Sequence, residues 1–184
     1  MSERRNKLIE KYYKNKIKDV EILIDNVFDP HNVGAISRTC DALGINRINL
    51  YYTYNEFPNF QNVGKKSSSS ANKWVKFEKI EDLKAFARLK KKEGFEFICA
   101  DNLKKAKRLD KFKFPKKCMI VFGAESKGVS EEVKEICEKS VFIPMVGMVE
   151  SYNVSVAAGI ILYELFKQKG KKLELKEREQ PDLR

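Results

Sequence analysis

Three short polar stretches carry the side chains that could do chemistry in this chain, and each follows directly on an apolar run. The first holds Asn32 and Arg38, the second Gly123 and Glu125, the third Gly147, Ser151 and Asn153. An amide, a guanidinium, a carboxylate and a hydroxyl can hold phosphate, orient a substrate hydroxyl and accept a hydrogen bond from it. His31 is the single histidine, so a Ser-His-Asp triad or a histidine-rich metal centre would rest on that residue alone, and no metal is expected. The segment Gly123-Ala124-Glu125-Ser126-Lys127-Gly128 has the glycine spacing of a phosphate loop. Val129 and Ser130 then stand where such a loop needs Lys followed by Ser or Thr, so the loop reading fails. No G-x-G-x-x-G follows any candidate strand either, which removes a dinucleotide fingerprint. What remains is a strand-end glycine with an acidic residue two positions on, at the edge of a sheet where α/β ligand sites collect.

The elements that must position these residues follow from periodicity. Val20–Ile24, Ile48–Tyr52, Phe95–Ala100, Cys118–Phe122 and Val141–Ile143 are apolar, partly β-branched runs that read as buried strands, with a short strand around Trp74–Phe77. Helices are predicted from Asn32 to Leu43, with Asn32 as N-cap, Pro30 as a stop before it and Gly44 just past the end; from Ile80 to Lys92; and from Ser130 to Lys139. Arg38 falls off the apolar stripe of the first of these. From Val154 to Leu165 apolar residues occupy nearly every side, which predicts a helix buried all round, within the core or against a second subunit. Repeated strand–helix–strand order argues for an α/β fold: a mostly parallel sheet with helices on both faces. The polar stretch from Thr53 to Asn72, with Lys65, Lys66 and the serines Ser67–Ser70, is too long for an ordinary connection.

Composition narrows the class. A chain of 184 residues is one ordinary domain with room for extensions, here 19–168, preceded by a basic amphipathic helical segment (1–18) and followed by a charged tail (169–184). Lys and Arg outnumber Asp and Glu by 37 to 26, a formal charge of +11, which favours a polyanion, and nucleic acid first. The four cysteines are scattered with no C-x-x-C pair and read as reduced core thiols. The N-terminal residues are polar and basic, and no apolar run is long enough to span a membrane, so the expectation is a cytoplasmic protein with no membrane partner.

The sequences NVFDPHNVGAISRTCDALGI, IVFGAESKGVSEEV and IPMVGMVESYNVSVAAGIILYE, in that order, resemble the three signature motifs of the TrmH (SpoU) branch of the SPOUT methyltransferases, and SSSSANKWV is similar to a segment of its tRNA guanosine enzymes. The resemblance spans Val20 to Leu165. It implies a SPOUT fold with a C-terminal trefoil knot, S-adenosyl-L-methionine as cofactor, a homodimer with a site composed across its interface, and methylation of an RNA ribose 2′-hydroxyl, that of the tRNA D-loop guanosine at position 18 foremost. Carried over by motif, the catalytic residues are Arg38, Asn32, Glu125, Ser151 and Asn153. The cofactor-binding residues are Ala100, Gly123, Ile143, Met148 and Tyr152. Two departures stand out: Tyr152 where leucine is usual, and Gly34-Ala35 where several tRNA members have Ser-Ala. Ribosomal RNA, another tRNA nucleotide, or RNA binding without catalysis are the alternatives. On residue type alone, Asn32, Ser151 and Asn153 also read as helix caps, Glu125 as a loop acceptor and Arg38 as a surface cation.

Overall fold

A computed structural model describes residues 16–57 and 74–169, together with Glu10. Seven strands form one sheet: β1 (Val20–Asp25), β2 (Arg47–Tyr51), β3 (Lys76–Lys79), β4 (Glu96–Ala100), β5 (Lys107–Arg108), β6 (Cys118–Phe122) and β7 (Lys139–Phe142). Their order across the sheet is β3-β2-β1-β6-β4-β7-β5 and every pairing is parallel. β6 is therefore inserted late in the chain between β1 and β4, with Val20 opposite Cys118 and Glu96 opposite the same residue. Parallel strands need cover on both faces. Alternation along each strand supplies it: Ile22, Ile24, Ile120 and Phe122 face one layer, Leu23, Met119 and Val121 the other.

The first layer is α1 (Pro30–Ala42) and α4 (Val154–Lys169), packed side by side over the centre of the sheet. The second is α2 (Leu83–Lys92) and α3 (Glu131–Ile136). Four boundaries differ from the sequence-based expectation. α1 begins at Pro30, because proline is preorganised for the first helical position and Asp29, not Asn32, supplies the cap: its side chain accepts from the His31 N–H at 2.8 Å. α2 begins only after Asp82, whose side chain accepts from the Ala85 N–H. α3 stops at Ile136, so that Lys139 already pairs in β7. α4 continues to Lys169, where Gln168 and Lys169 donate to the carbonyls of Phe112 and Pro115. The basic connection before β6 contains the two-residue strand β5 and a 3-10 turn over Leu109–Lys111.

The expectation that α4 is buried all round does not hold in one chain. Val154, Ala158, Ile161, Leu162 and Leu165 are buried, whereas Val156, Ile160 and Tyr163 are exposed. One sheet face and α1 can cover only one side of a helix. The predicted N-terminal helix does not reach Lys18: residues 16–18 are not helical, and the Ile17 N–H donates to the Gly44 carbonyl at 2.9 Å. Nearly all the rest of that segment, Lys65, Lys66, the serine run and the charged tail beyond Lys169 lie outside the described residues.

Candidate active site

All the polar stretches singled out by type emerge at the carboxyl ends of strands. Asn32 lies in the first turn of α1, reached from β1 by 26–29, and it is buried. Its Nδ2 donates to Glu125 Oε1 at 2.5 Å, and its Oδ1 accepts from Asn153 Nδ2 at 3.2 Å. A single buried amide thus ties the loops after β1, β6 and β7 to one point. Asn153 is held in turn as the cap of α4, its Oδ1 accepting from the Ser155 N–H at 2.9 Å and the Ser155 hydroxyl at 2.6 Å. Both readings of Asn153 meet in one side chain: it caps a helix with its oxygen and reaches the site with its nitrogen.

Glu125 sits at the tip of a tight turn closed by two backbone hydrogen bonds, Ala124 N–H to Gly128 C=O and Gly128 N–H to Ala124 C=O. The turn demands both of its glycines. Gly128 has φ +66°, and a Cβ at Gly123 would lie 2.2 Å from the Gly128 carbonyl carbon. Gly123 therefore shapes the loop through backbone proximity.

Two clefts flank this centre. The larger, of about 540 Å³, is lined by Asn32, Glu125, Phe28, Tyr54, Asn55 and Lys127, among others. Phe28 stands at this cleft 71% exposed, and Lys127 Nζ lies 4.4 Å from the centre of the Tyr54 ring. The smaller, of about 160 Å³, brings together Ala100, Ile143, Ser151 and Tyr152, with carboxylates from Asp101 and Glu150. Gly123 and Met148 are not among its walls, and Met148 is fully exposed on the 144–150 loop. Arg38 is exposed on α1 and lines neither cleft.

The sequence-based reading missed the residue that organises the larger cleft's outer wall. Asn26 is the one described non-glycine residue with positive φ, at 53°, a conformation that asparagine tolerates better than most side chains. Its Oδ1 accepts from the Thr53 N–H at 2.8 Å and the Tyr54 N–H at 3.2 Å, while its carbonyl accepts from Asn55 Nδ2 at 2.6 Å. Its Nδ2 donates to the buried Asp25 at 2.7 Å. Burial pushes the Asp25 carboxyl above its usual pKa, partly opposed by the Ser130 N–H and Asn26. Tyr52 donates to the Val27 carbonyl at 2.8 Å; burial, with Glu125 and Asp25 nearby, pushes its pKa up, so the phenol stays protonated. The only signal available in the sequence was an asparagine directly after a strand.

Residues 19–163 match the SpoU rRNA Methylase family. The chain belongs to that family. It is 35% identical over 168 residues to the tRNA (guanosine(18)-2'-O)-methyltransferase of Thermus thermophilus, covering 91% of this chain and 84% of that protein. The protein of the same name from Aquifex aeolicus is 36% identical, covering 92% and 79%. The crystal structure of the A. aeolicus TrmH/SpoU tRNA modifying enzyme superposes with a TM-score of 0.80 at 33% identity, over 95% of this chain and 90% of that one. The parallel sheet with helices on both faces is thus the arrangement found in SpoU relatives. The SpoU motifs noted in the sequence are the loops that meet at Asn32.

Proposed function

We propose that the chain is a homodimeric S-adenosylmethionine-dependent methyltransferase acting on the ribose 2′-hydroxyl of the tRNA D-loop guanosine, position 18. One observation carries the choice of RNA. The relatives named for that reaction in Thermus thermophilus and Aquifex aeolicus are 35% and 36% identical and covered over 84% and 79% of their length, whereas a 23S rRNA (guanosine-2'-O-)-methyltransferase of Acinetobacter baylyi is 30% identical. It is this identity that favours tRNA, since the Escherichia coli enzyme of the tRNA name, like the rRNA enzyme, is covered over 64% of its length.

The smaller cleft suits the cofactor. Ala100, Ile143 and Tyr152 offer apolar walls for a purine, and Asp101 and Glu150 offer carboxylates for cationic groups. At about 160 Å³ it is smaller than the ~300–1,000 Å³ usual for ligand sites, so the exposed 144–150 loop, with Met148, is assigned the part of closing around the ligand. Gly123 contributes its backbone. When bound, S-adenosylmethionine supplies an electrophilic methyl group. The chain's own task is then to align a ribose oxygen and receive its proton, and alignment supplies much of such a rate.

The larger cleft is assigned to the nucleotide. Glu125, Asn32 and Asn153 orient the ribose side from a network that the fold has already paired, Ser151 approaches from the wall of the smaller cleft, and Phe28 offers a face on which a base can stack. Arg38 is assigned to a phosphate beside that ribose, since its planar fork matches phosphate and a guanidinium offers five N–H donors and no acceptor. Because it lines neither cleft of its own chain, Arg38 is the residue that most needs a second subunit. The exposed Val156, Ile160 and Tyr163 of α4 are the surface assigned to that contact. In this reading the C-terminal part is threaded as a trefoil knot, the basic N-terminal segment and the charged tail grip RNA, and the protein works in the cytoplasm.

The test is to incubate the purified protein with unmodified tRNA and S-adenosylmethionine and map the methylated ribose. A 2′-O-methyl group at the D-loop guanosine is expected. Methylation confined to ribosomal RNA would move the protein to the runner-up substrate, and RNA binding without cofactor binding in a titration would leave only a silent RNA-binding protein.

A further inference from the structure

The connection after β4 borders two cavities. Asp101 and Asn102 line the small cleft, while Leu103 and Lys104 line a separate groove of about 550 Å³ that shares no residue with the candidate active site. Lys104, Lys105, Lys107, Lys111 and Lys113 reach this groove from the connection, and Lys134 and Lys139 face it from α3 and β7. Among the described residues its single carboxylate is Glu138, already taken up by Lys91 Nζ at 2.6 Å and the Phe97 N–H at 2.7 Å. Lys134 and Lys139 hold Glu131 and Glu96, and Lys113 feels Glu164. Lys104, Lys105, Lys107 and Lys111 are exposed and make no ion pair among the described residues.

Like charges crowded into a concave surface repel one another, and within a screening length of about 8 Å water and salt only partly relieve this. A bound polyanion removes the repulsion and releases its own counterions. Ammonium groups hold phosphate as point charges and carry no base-reading geometry. We infer that this groove is a second phosphate-binding site, taking the sugar–phosphate backbone of the tRNA body away from the reacting ribose. The inference rests on the proposed tRNA substrate and adds where the rest of that molecule is held.

The test uses the full chain and tRNA, with affinity measured over a range of salt. Replacing Lys104, Lys105, Lys107 and Lys111 together by Gln should weaken binding about tenfold or more at ~0.1 M salt and lower the slope of log K against log salt by about 3, near 0.7–0.9 per phosphate contact. S-adenosylmethionine affinity, melting temperature and kcat at saturating tRNA should stay as in the wild type, with KM raised. A control removing four exposed cations elsewhere, Lys76, Lys84, Arg88 and Lys92, separates a local site from net charge. An equal slope change in the control, or none in the groove variant, overturns the inference. An unchanged tRNA slope with loss of polyglutamate binding overturns it in favour of an acidic polypeptide. Should the fourfold variant melt early, Lys105→Gln alone should lower the slope by slightly less than 1. If the wild type itself neither binds nor methylates tRNA, it is the proposed substrate that fails, which the wild-type arm alone reveals.

Discussion

Arg38 and Asn32 sit on the same helix and should fail differently when removed. Arg38 is exposed, so Arg38→Ala should change stability by no more than about 0.5 kcal/mol, while single-turnover methyl transfer falls on the order of 10²-fold or more. Near-normal transfer would remove Arg38 from the mechanism. Asn32→Ala should lower both, since Glu125 and Asn153 each lose a buried partner at about 1–3 kcal/mol in total; denaturant melts beside the rate assay would show it. The two residues were not equally legible. Arg38 could be placed off the apolar stripe by counting, but Asn32 looked like a cap because Asp29, Pro30 and Asn32 all fit a helix start, and only the loop geometry after β6 and β7 reveals what its amide reaches. Asp25 could not be singled out at all, since burial at a strand end is a property of the packed sheet. Its raised pKa means that the folded state holds the proton more tightly than the unfolded chain. The stability that Asp25 contributes is therefore greatest below the unfolded value of about 3.9 and declines as pH climbs towards the folded one. Comparing wild type with Asp25→Asn by chemical denaturation from pH 3 upward, the difference should shift in the variant's favour as pH rises; a pH-independent difference would contradict a disfavoured charge.

α2 shows how an element can be recognised while its most consequential residue is not. A lysine-rich helix reads as solvated, yet Lys90 is buried, its Nζ 2.9 Å from Glu21 Oε1 and 3.1 Å from Glu93. Glu21 belongs to β1 and faces the same layer as Leu23, where Asn49 Nδ2 donates to its other oxygen at 3.1 Å. Strand alternation predicts which face Glu21 takes, but not which helix covers that face. Lys90→Ala should destabilise by about 2 kcal/mol, because it leaves the buried Glu21 carboxylate with only Asn49 and the half-exposed Arg47, 3.6 Å away. Lys90→Met with Glu21→Leu should recover most of this, and a double-mutant cycle in urea measures the coupling. Additive losses would mean that the pair is not a unit. α4 was legible in the same partial way. Its apolar residues on every side predicted burial all round, but the period alone could not say that within one chain the half bearing Val156, Ile160 and Tyr163 stays uncovered.

For the molecule as a whole, that uncovered half makes assembly testable. Ile160→Arg introduces a charge on the exposed side of α4, so the protein should sediment as a monomer at micromolar concentration, keep its melting transition within a few degrees and lose methyl transfer; an active monomer would refute the shared site. β5, a Lys-Arg pair within the basic connection, carries no apolar signal, but the other six of the seven strands, their parallel sense and the order of the helices followed from apolar runs and the strand–helix alternation. The strand order did not, because nothing in a run of Cys-Met-Ile-Val-Phe says that it will enter the middle of the sheet. That insertion matters while the protein is being made. β1 and β4 leave the ribosome before their shared neighbour exists, and both must wait with bare hydrogen-bonding edges until β6 has been synthesised and slotted between them. Contacts so distant in sequence are slow to form, so refolding from denaturant should take milliseconds to seconds or longer, and stalled chains ending before Cys118 should be the ones that chaperones hold.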